Sequence, residues 1–318
     1  MSESSSNTQT IPLLAIVGPT AVGKTALSLT LAQTLNGEIV SADSRQIYRG
    51  MDIGTAKPTL DERATIPHYL INIVDPDEEY SLALYKTQAD AAIEDIAKRR
   101  RLPLLVGGTG QYLAAVLQGW SIPSVPPQPA FRAQLECEAD EHGVEALHAR
   151  LVAIDPVAAA AIPISNVRRV IRALEVYHVT GQPISAQQQK HPPSYQTRTI
   201  WLTLAAEPLY ERIDERVDAM MSAGLLGEVR SLLECGYTWN LPAMSSLGYR
   251  EFQPYFAGTA TREEAVQRLK FNTHAFARRQ RSWFRRLPGM AQIPADAPDL
   301  VERALAWWHD GTFDEESC

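Results

Sequence analysis

The chain has only 3 cysteines in 318 residues, Cys137, Cys235 and Cys318, far apart and without a CxxC pair. A disulfide framework or a thiolate zinc site is therefore not expected, and a reducing cytoplasm suits the sequence. No apolar run approaches the ~18 residues that a membrane span needs. The opening stretch MSESSSNTQT has neither a basic cluster nor an apolar run, so no secretory leader is expected there. The histidines, His68 and His274 among them, show no metal-ligand spacing, and no fixed-period repeat is visible. Basic charge is also short: 30 Lys and Arg stand against 37 Asp and Glu, a net charge of −7. That argues against a protein that coats nucleic acid by general basicity. It leaves room for a local basic patch, because exposed charges act mainly within a Debye length.

What is present is globular: 45% hydrophobic and 21% charged residues exclude global disorder. Leu13 to Val17 is a short apolar run ending at a glycine, as in a strand buried on both faces. A helix with Leu27, Leu31 and Leu35 on one side is expected next, then strands over Glu38 to Ala42 and Tyr69 to Val74. A long helix from Ser81 to about Arg100 and a strand over Leu102 to Val106 complete the first part. This alternation indicates an α/β fold around a parallel sheet. Between Ile122 and Pro129 there are four prolines in eight residues, and from Phe131 to about Gln189 the periodicity is helical only. His191-Pro192-Pro193 ends that stretch, and Thr199 to Leu204 reads as a strand again. The expected organisation is an α/β core over 11–120, a helical insertion over 121–197 and a second core part over 198–310. The acidic end, Asp310 to Cys318, is expected to fray. The Met220-Met221 and Trp307-Trp308 pairs read as packing residues.

Gly18-Pro19-Thr20-Ala21-Val22-Gly23-Lys24-Thr25 matches the nucleotide-binding, ATP-type phosphate-loop pattern GxxxxGK[ST], with a strand before it and a helix after it. Inward-turned backbone N–H groups and a helix N-terminus would cradle an anion. Lys24 would bond phosphate oxygens, and the Thr25 hydroxyl could ligate Mg²⁺. Nucleoside triphosphatases commonly hold Mg²⁺ with an acid at the end of a later strand. Here Leu102 to Val106 ends in Gly107-Gly108-Thr109, without one. Asp43, in Ser41-Ala42-Asp43-Ser44-Arg45-Gln46, is the acid that follows an early strand, where it would face the crevice as metal ligand, general base or simple turn residue.

Several segments together resemble the tRNA dimethylallyltransferases. They are GPTAVGKT, SADSRQIYRGMDIGTAKP, LLVGGTGQYL, RRVIRALEVY, LGYRE and ARRQRSWFRR, in the expected order over about residues 12 to 290. The resemblance implies a nucleotide-kinase-like core with a helical insertion that grips the anticodon stem-loop. It also implies Mg²⁺ and transfer of a dimethylallyl group from dimethylallyl diphosphate to the exocyclic amine of the adenosine 3′ of the anticodon. On that pattern the loop residues Gly18 to Thr25 hold diphosphate, which accounts for the missing acid after Val106. Asp43 is the candidate base. Thr20 and an Arg, Arg216 rather than Arg212, would stabilise the leaving group. The target base would have to leave its stack to be reached. Candidate tRNA contacts by resemblance are Asp43, Ser44, Arg45, Gln46, Thr109 and Arg132, then Arg168, Arg169, Val170, Ile171 and Arg172, and Gly248, Tyr249 and Arg250. Ser245 departs from the basic or larger polar residue common there.

Arg268 to Arg286 carries seven Lys or Arg and no acid, against about two expected in nineteen positions for an even spread. Arg278, Arg281 and Arg285 fall on one helical face, and Phe276, Trp283 and Leu287 on an apolar one. Phosphate contact by Arg278 and Arg281 is the better reading, although an amphipathic helix with a solvated face would look similar. The expected partners are therefore tRNA and dimethylallyl diphosphate, with no membrane, and the expected state is a monomer in the cytoplasm. The alternatives are a small-molecule or nucleotide kinase and a non-catalytic RNA-binding switch. The first leaves the long insertion unexplained. The second needs a metal-holding acid that the later strand lacks.

Overall fold

A computed structural model describes residues 10–188 and 195–310. The expectations for the opening residues, for His191-Pro192-Pro193 and for the tail beyond Asp310 lie outside the described residues.

Strand β1 (Ile11–Val17) leads into helix α1 (Lys24–Thr34), β2 (Gly37–Ala42), the short α2 (Leu60–Thr65) and β3 (His68–Tyr69). Helix α3 (Leu82–Lys98), β4 (Leu102–Gly107) and α4 (Gly110–Leu117) follow. Next come α5 (Pro129–His142), α6 (Val144–Ile154), α7 (Pro156–Ala161), α8 (Val167–Thr180) and α9 (Ile184–Gln187). The chain then returns through β5 (Tyr195–Thr203), α10 (Ala206–Ser222), α11 (Leu225–Glu234), α12 (Gln253–Phe256), α13 (Arg262–Phe284), β6 (Met290–Pro294) and α14 (Leu300–Asp310). The six strands form one sheet in the order β3-β2-β4-β1-β5-β6, every pair parallel. Parallel strands are buried on both faces, which is why Leu13 to Val17 are wholly apolar and fully buried. Among the described residues no helix is long and apolar enough to cross a membrane.

Two strands differ from the expectation. Of the expected 69–74 strand only Tyr69 pairs with β2, together with His68 just before it, because Leu70 and Asn72 adopt φ of 63° and 56°, which ends an extended strand. Val74 makes a single bridge to Tyr48. In contrast, β5 starts earlier than expected, at Tyr195, and runs the full length of β1.

The chain divides into two compact units. One takes in the sheet and its helices. The other comprises Gln118–Pro193 with Leu82–Leu84. The proline stretch forms no helix or strand until Pro129, which opens α5 as its first residue, where a missing N–H costs nothing. In this second unit Leu135, Leu147, Leu151, Val170, Ile171 and Leu174 form a separate core. Glu175, on α8, is fully buried. It is held there by Arg132 (Nε to Oε1 2.7 Å, Nη2 to Oε2 2.9 Å), by Arg172 (2.6 Å) and by the Gln128 N–H (2.7 Å). Burial disfavours the carboxylate, yet these partners outweigh it and lower its pKa to about 2.

Candidate active site

The register of the sheet assembles the site. Val17 pairs with Gly107, and Gly107 pairs with Ala42, so the last residues of β1, β4 and β2 lie in one row. The phosphate loop, Gly108-Thr109 and Asp43 therefore leave the sheet side by side at its carboxyl edge, where open α/β sheets place their ligands. A Cβ on Gly107 would come 2.2 Å from the Ala42 carbonyl, so only glycine allows this row to close.

The loop turns through left-handed residues at Ala21 (φ 63°) and Gly23 (φ 105°) before α1 begins at Lys24. Lys24 Nζ donates to the carbonyls of Gly18 (2.9 Å) and Pro19 (2.7 Å), and an ammonium has a third proton to offer an anion. Desolvation and the positive charge of Arg216 lower the Lys24 pKa to about 7, against an opposing pull from Asp43. Val22 is fully buried and serves the sheet core with its side chain, so any phosphate contact there is through backbone.

Thr20, Lys24, Thr25, Asp43, Gln46 and Arg216 line one cleft. Its apolar wall includes Ile39, Ile71, Val106 and Phe276. Arg216 reaches it from α10, and burial lowers its pKa while Asp43 opposes the shift. Arg212, one turn earlier, is not part of the lining. Asp43 has two roles at once: it faces the cleft, and its Oδ1 accepts the Arg45 N–H (2.9 Å) in a tight turn. Thr109 Oγ1 accepts the Ser44 N–H (2.9 Å), which ties the turn after β2 to the start of α4. Gln46 Nε2 donates to the carbonyls of Thr55 (3.4 Å) and Ala56 (3.3 Å), so the orientation of its amide is set. Arg45 reaches away to the Pro242 carbonyl (3.0 Å).

Several expected RNA contacts are placed differently. Val170 and Ile171 are buried in the core of the second unit, because the apolar stripe of α8 faces α5 and α6. Their side chains pack, whereas Arg168 and Arg169 beside them are exposed. Tyr249 is fully buried, its hydroxyl donating to Glu228 Oε1 (2.7 Å), so its ring is not available to stack on a base. Its ring lies where a Cβ on Gly54 would meet it at 2.6 Å. Gly248, at φ +99°, lies against the Gly54 carbonyl. Arg250 is exposed, with Nε on Glu251 (2.8 Å), and Ser245 Oγ donates to Pro242 (2.8 Å). Arg132 is engaged by Glu175 within the second unit.

Helix α13 starts with a capping box, Thr261 and Glu264 satisfying each other's backbone N–H. Its buried stripe is Ala265, Leu269, Thr273, Ala277, Gln280 and Phe284, not the expected Phe276, Trp283 and Leu287. Phe276 instead walls the cleft, and Trp283 lies where a Cβ on Gly110 would meet it at 2.4 Å. Arg278 is exposed, touching Tyr210 Oη at 3.3 Å, Arg281 is half-buried, and Arg285 has passed the helix end. Gln280 was not anticipated. With Thr273 it is one of two polar residues inside the apolar stripe, a signal legible once the helical phase is counted from Ala277 and Phe284.

Oxygen donors in the cleft suit a hard cation. Thr25 and Asp43 could supply the one or two protein ligands that Mg²⁺ takes beside phosphate oxygens and water. Among the described residues no group of three His, Cys, Asp or Glu side chains could hold a metal without such a co-ligand.

Residues 46–287 match the model of the IPP transferase family, and residues 11–73 that of isopentenyl transferases. A tRNA dimethylallyltransferase of Roseiflexus castenholzii is 70% identical over 93% of this chain and 97% of its own. One from Chloroflexus aggregans is 61% identical over 90% and 97%. A tRNA isopentenylpyrophosphate transferase structure from Bacillus halodurans superposes with a TM-score of 0.69 at 42% identity, covering 93% of this chain and 94% of the other. A eukaryotic dimethylallyltransferase captured acting on tRNA gives 0.81 at 30% identity, over 96% and 81%.

Proposed function

Because the chain belongs to the IPP transferase family and is a tRNA-prenylating enzyme, we infer that the cleft at the carboxyl edge of the sheet is where dimethylallyl diphosphate meets the target adenosine. The observation that carries this reading is the convergence of Lys24, Arg216 and Asp43, two cations and one carboxylate, on a single cleft with an apolar wall. In this reading the acceptor is the adenosine 3′ of the anticodon, turned out of its stack.

The adenine amine is a weak nucleophile because its lone pair is delocalised into the ring. As its nitrogen bonds the allylic C1, the C1–O bond breaks and the electron pair leaves with diphosphate. Asp43 accepts the amine proton. Lys24, Arg216 and the loop amides meet the charge that grows on the leaving group, a contribution of about 3–4 kcal/mol per well-placed donor. Ile71, Val106 and Phe276 would shelter the prenyl tail from water. Gln46, with its amide orientation set by two carbonyls, is placed to bond a base edge. We propose Thr25 as a protein ligand for Mg²⁺, which would offset diphosphate charge. Arg278 and Arg281 on α13, and Arg168 and Arg169 on α8, are proposed phosphate contacts. A cytoplasmic monomer fits an enzyme whose substrate is tRNA.

The test is to incubate the protein with radiolabelled dimethylallyl diphosphate and tRNA bearing the anticodon-adjacent adenosine. Label in tRNA, absent when that adenosine is replaced, is expected. No label, combined with γ-phosphate turnover of ATP, would sink the reading in favour of a kinase.

A further inference from the structure

The buried stripe of α13 is apolar or small except at Thr273 and Gln280. Thr273 satisfies itself on the Leu269 carbonyl of its own helix (2.7 Å). Gln280 does not. Its Oε1 accepts the Thr20 N–H of the phosphate loop (2.9 Å), and its Nε2 donates to the Gly108 carbonyl (3.0 Å). The two bonds have opposite polarity, so the amide fits one way round only. Packing alone would be served by an apolar side chain. An amide here is explained by the two backbone groups it meets. The chain also reserves room for it: a Cβ on Gly108 would stand 2.4 Å from Nε2. Because the Thr20 N–H is already bonded, the diphosphate is left to the later amides of the loop and to Lys24. One turn before Gln280 on the same helix, Phe276 forms part of the cleft wall.

We propose that Gln280 is a positioning residue: its amide sets the first turn of the phosphate loop and joins that loop to the helix that presents Arg278 and Arg281. The proposal rests on the cleft being the diphosphate site. Gln280 lines the same cleft, but both ends of its amide are spent on backbone groups. It acts by holding Thr20 where the loop can close on the leaving group, so its loss is felt in diphosphate recognition more than in RNA affinity.

The test compares full-length wild type with Gln280→Met, which keeps length without either bond, and Gln280→Glu, which sets an oxygen against the Gly108 carbonyl. Gly108→Ala is a second route, because its methyl displaces the amide while α13 is left unaltered. Steady-state kinetics, calorimetry with inorganic diphosphate and filter binding of tRNA are the readouts. All three variants are expected to raise KM for dimethylallyl diphosphate, and weaken inorganic diphosphate, about tenfold or more. The tRNA Kd is expected to stay within about threefold. Gln280→Met combined with Gly108→Ala is expected to be no worse than the worse single change, since both remove one interaction. The proposal is overturned if Gln280→Met keeps KM and diphosphate affinity within about twofold of wild type. It is equally overturned if that variant loses both substrates alike while Gly108→Ala behaves as wild type, the result of simple misfolding. Wild type that bound no diphosphate would overturn this proposal and the reading beneath it, whereas equal binding by wild type and variants overturns this one alone.

Discussion

Asp43 follows β2 directly and Lys24 opens α1, and the cleft treats them differently. As the proposed base, Asp43 matters to bond formation more than to holding RNA. Asp43→Ala is expected to lower transfer by at least about 10³-fold, within the range of lost general-base catalysis, with tRNA affinity in filter binding largely kept. Equal loss of both would contradict that role. Lys24 carries a pKa lowered from 10.5 to about 7. A folded pKa below the unfolded one means that, between about pH 7 and 10.5, the unfolded chain holds a proton the folded one has released. Stability therefore rises with pH across that window, and Lys24 opposes folding most fully below it. Diphosphate placed against the amine restores the charge. Calorimetry of inorganic diphosphate at pH 8 in two buffers of different ionisation enthalpy should report uptake of up to about one proton. At pH 6 it should report almost none, and no buffer dependence at pH 8 would refute the assignment.

Two helices show how one charge pattern reads differently in different settings. On α8, Arg172 and Glu175 look like surface charge in the sequence, but Glu175 is buried beneath Arg132 and Arg172. Its folded pKa of about 2 lies below the usual 4.5 of a glutamate, so its stabilisation is complete above pH 4.5 and fades as the pH falls toward 2. Glu175→Gln leaves two guanidinium groups without their shared partner. It is expected to cost about 3–5 kcal/mol in urea unfolding followed at pH 7, and less at pH 3. On α13, Glu263 and Glu264 open the helix and the arginines close it, which complements the helix dipole by itself. Dipole pairing alone predicts no RNA effect. Arg278→Ala with Arg281→Ala should weaken tRNA binding and reduce the slope of log K against log salt by roughly 1.4–1.8, the counterions of two phosphates. An unchanged slope would leave this helix with packing alone.

At the scale of the whole molecule, the net charge of −7 coexists with a stretch of seven basic residues and no acid. General repulsion of polyanions combined with local attraction favours a folded, shape-matched RNA over an arbitrary one. Unstructured poly(A) of tRNA length is expected to bind at least about 100-fold more weakly than tRNA at physiological salt. Comparable affinities in filter binding would contradict the localisation of basic charge as the source of discrimination.

The sequence alone determined the α/β class, the phosphate loop and the presence of a helical stretch after the prolines, because these rest on local signals: hydrophobic period, a contiguous glycine pattern and a run of prolines. It also placed Asp43 after a strand. The tertiary structure decided whatever depends on which element packs on which. It turned Tyr249, Val170 and Ile171 inward and chose Arg216 over Arg212 for the cleft. It also brought Gln280 to Thr20 across 260 residues of chain. Burial and long-range hydrogen bonds are set by the summed geometry of a sheet and its helices, and no spacing along the chain encodes them.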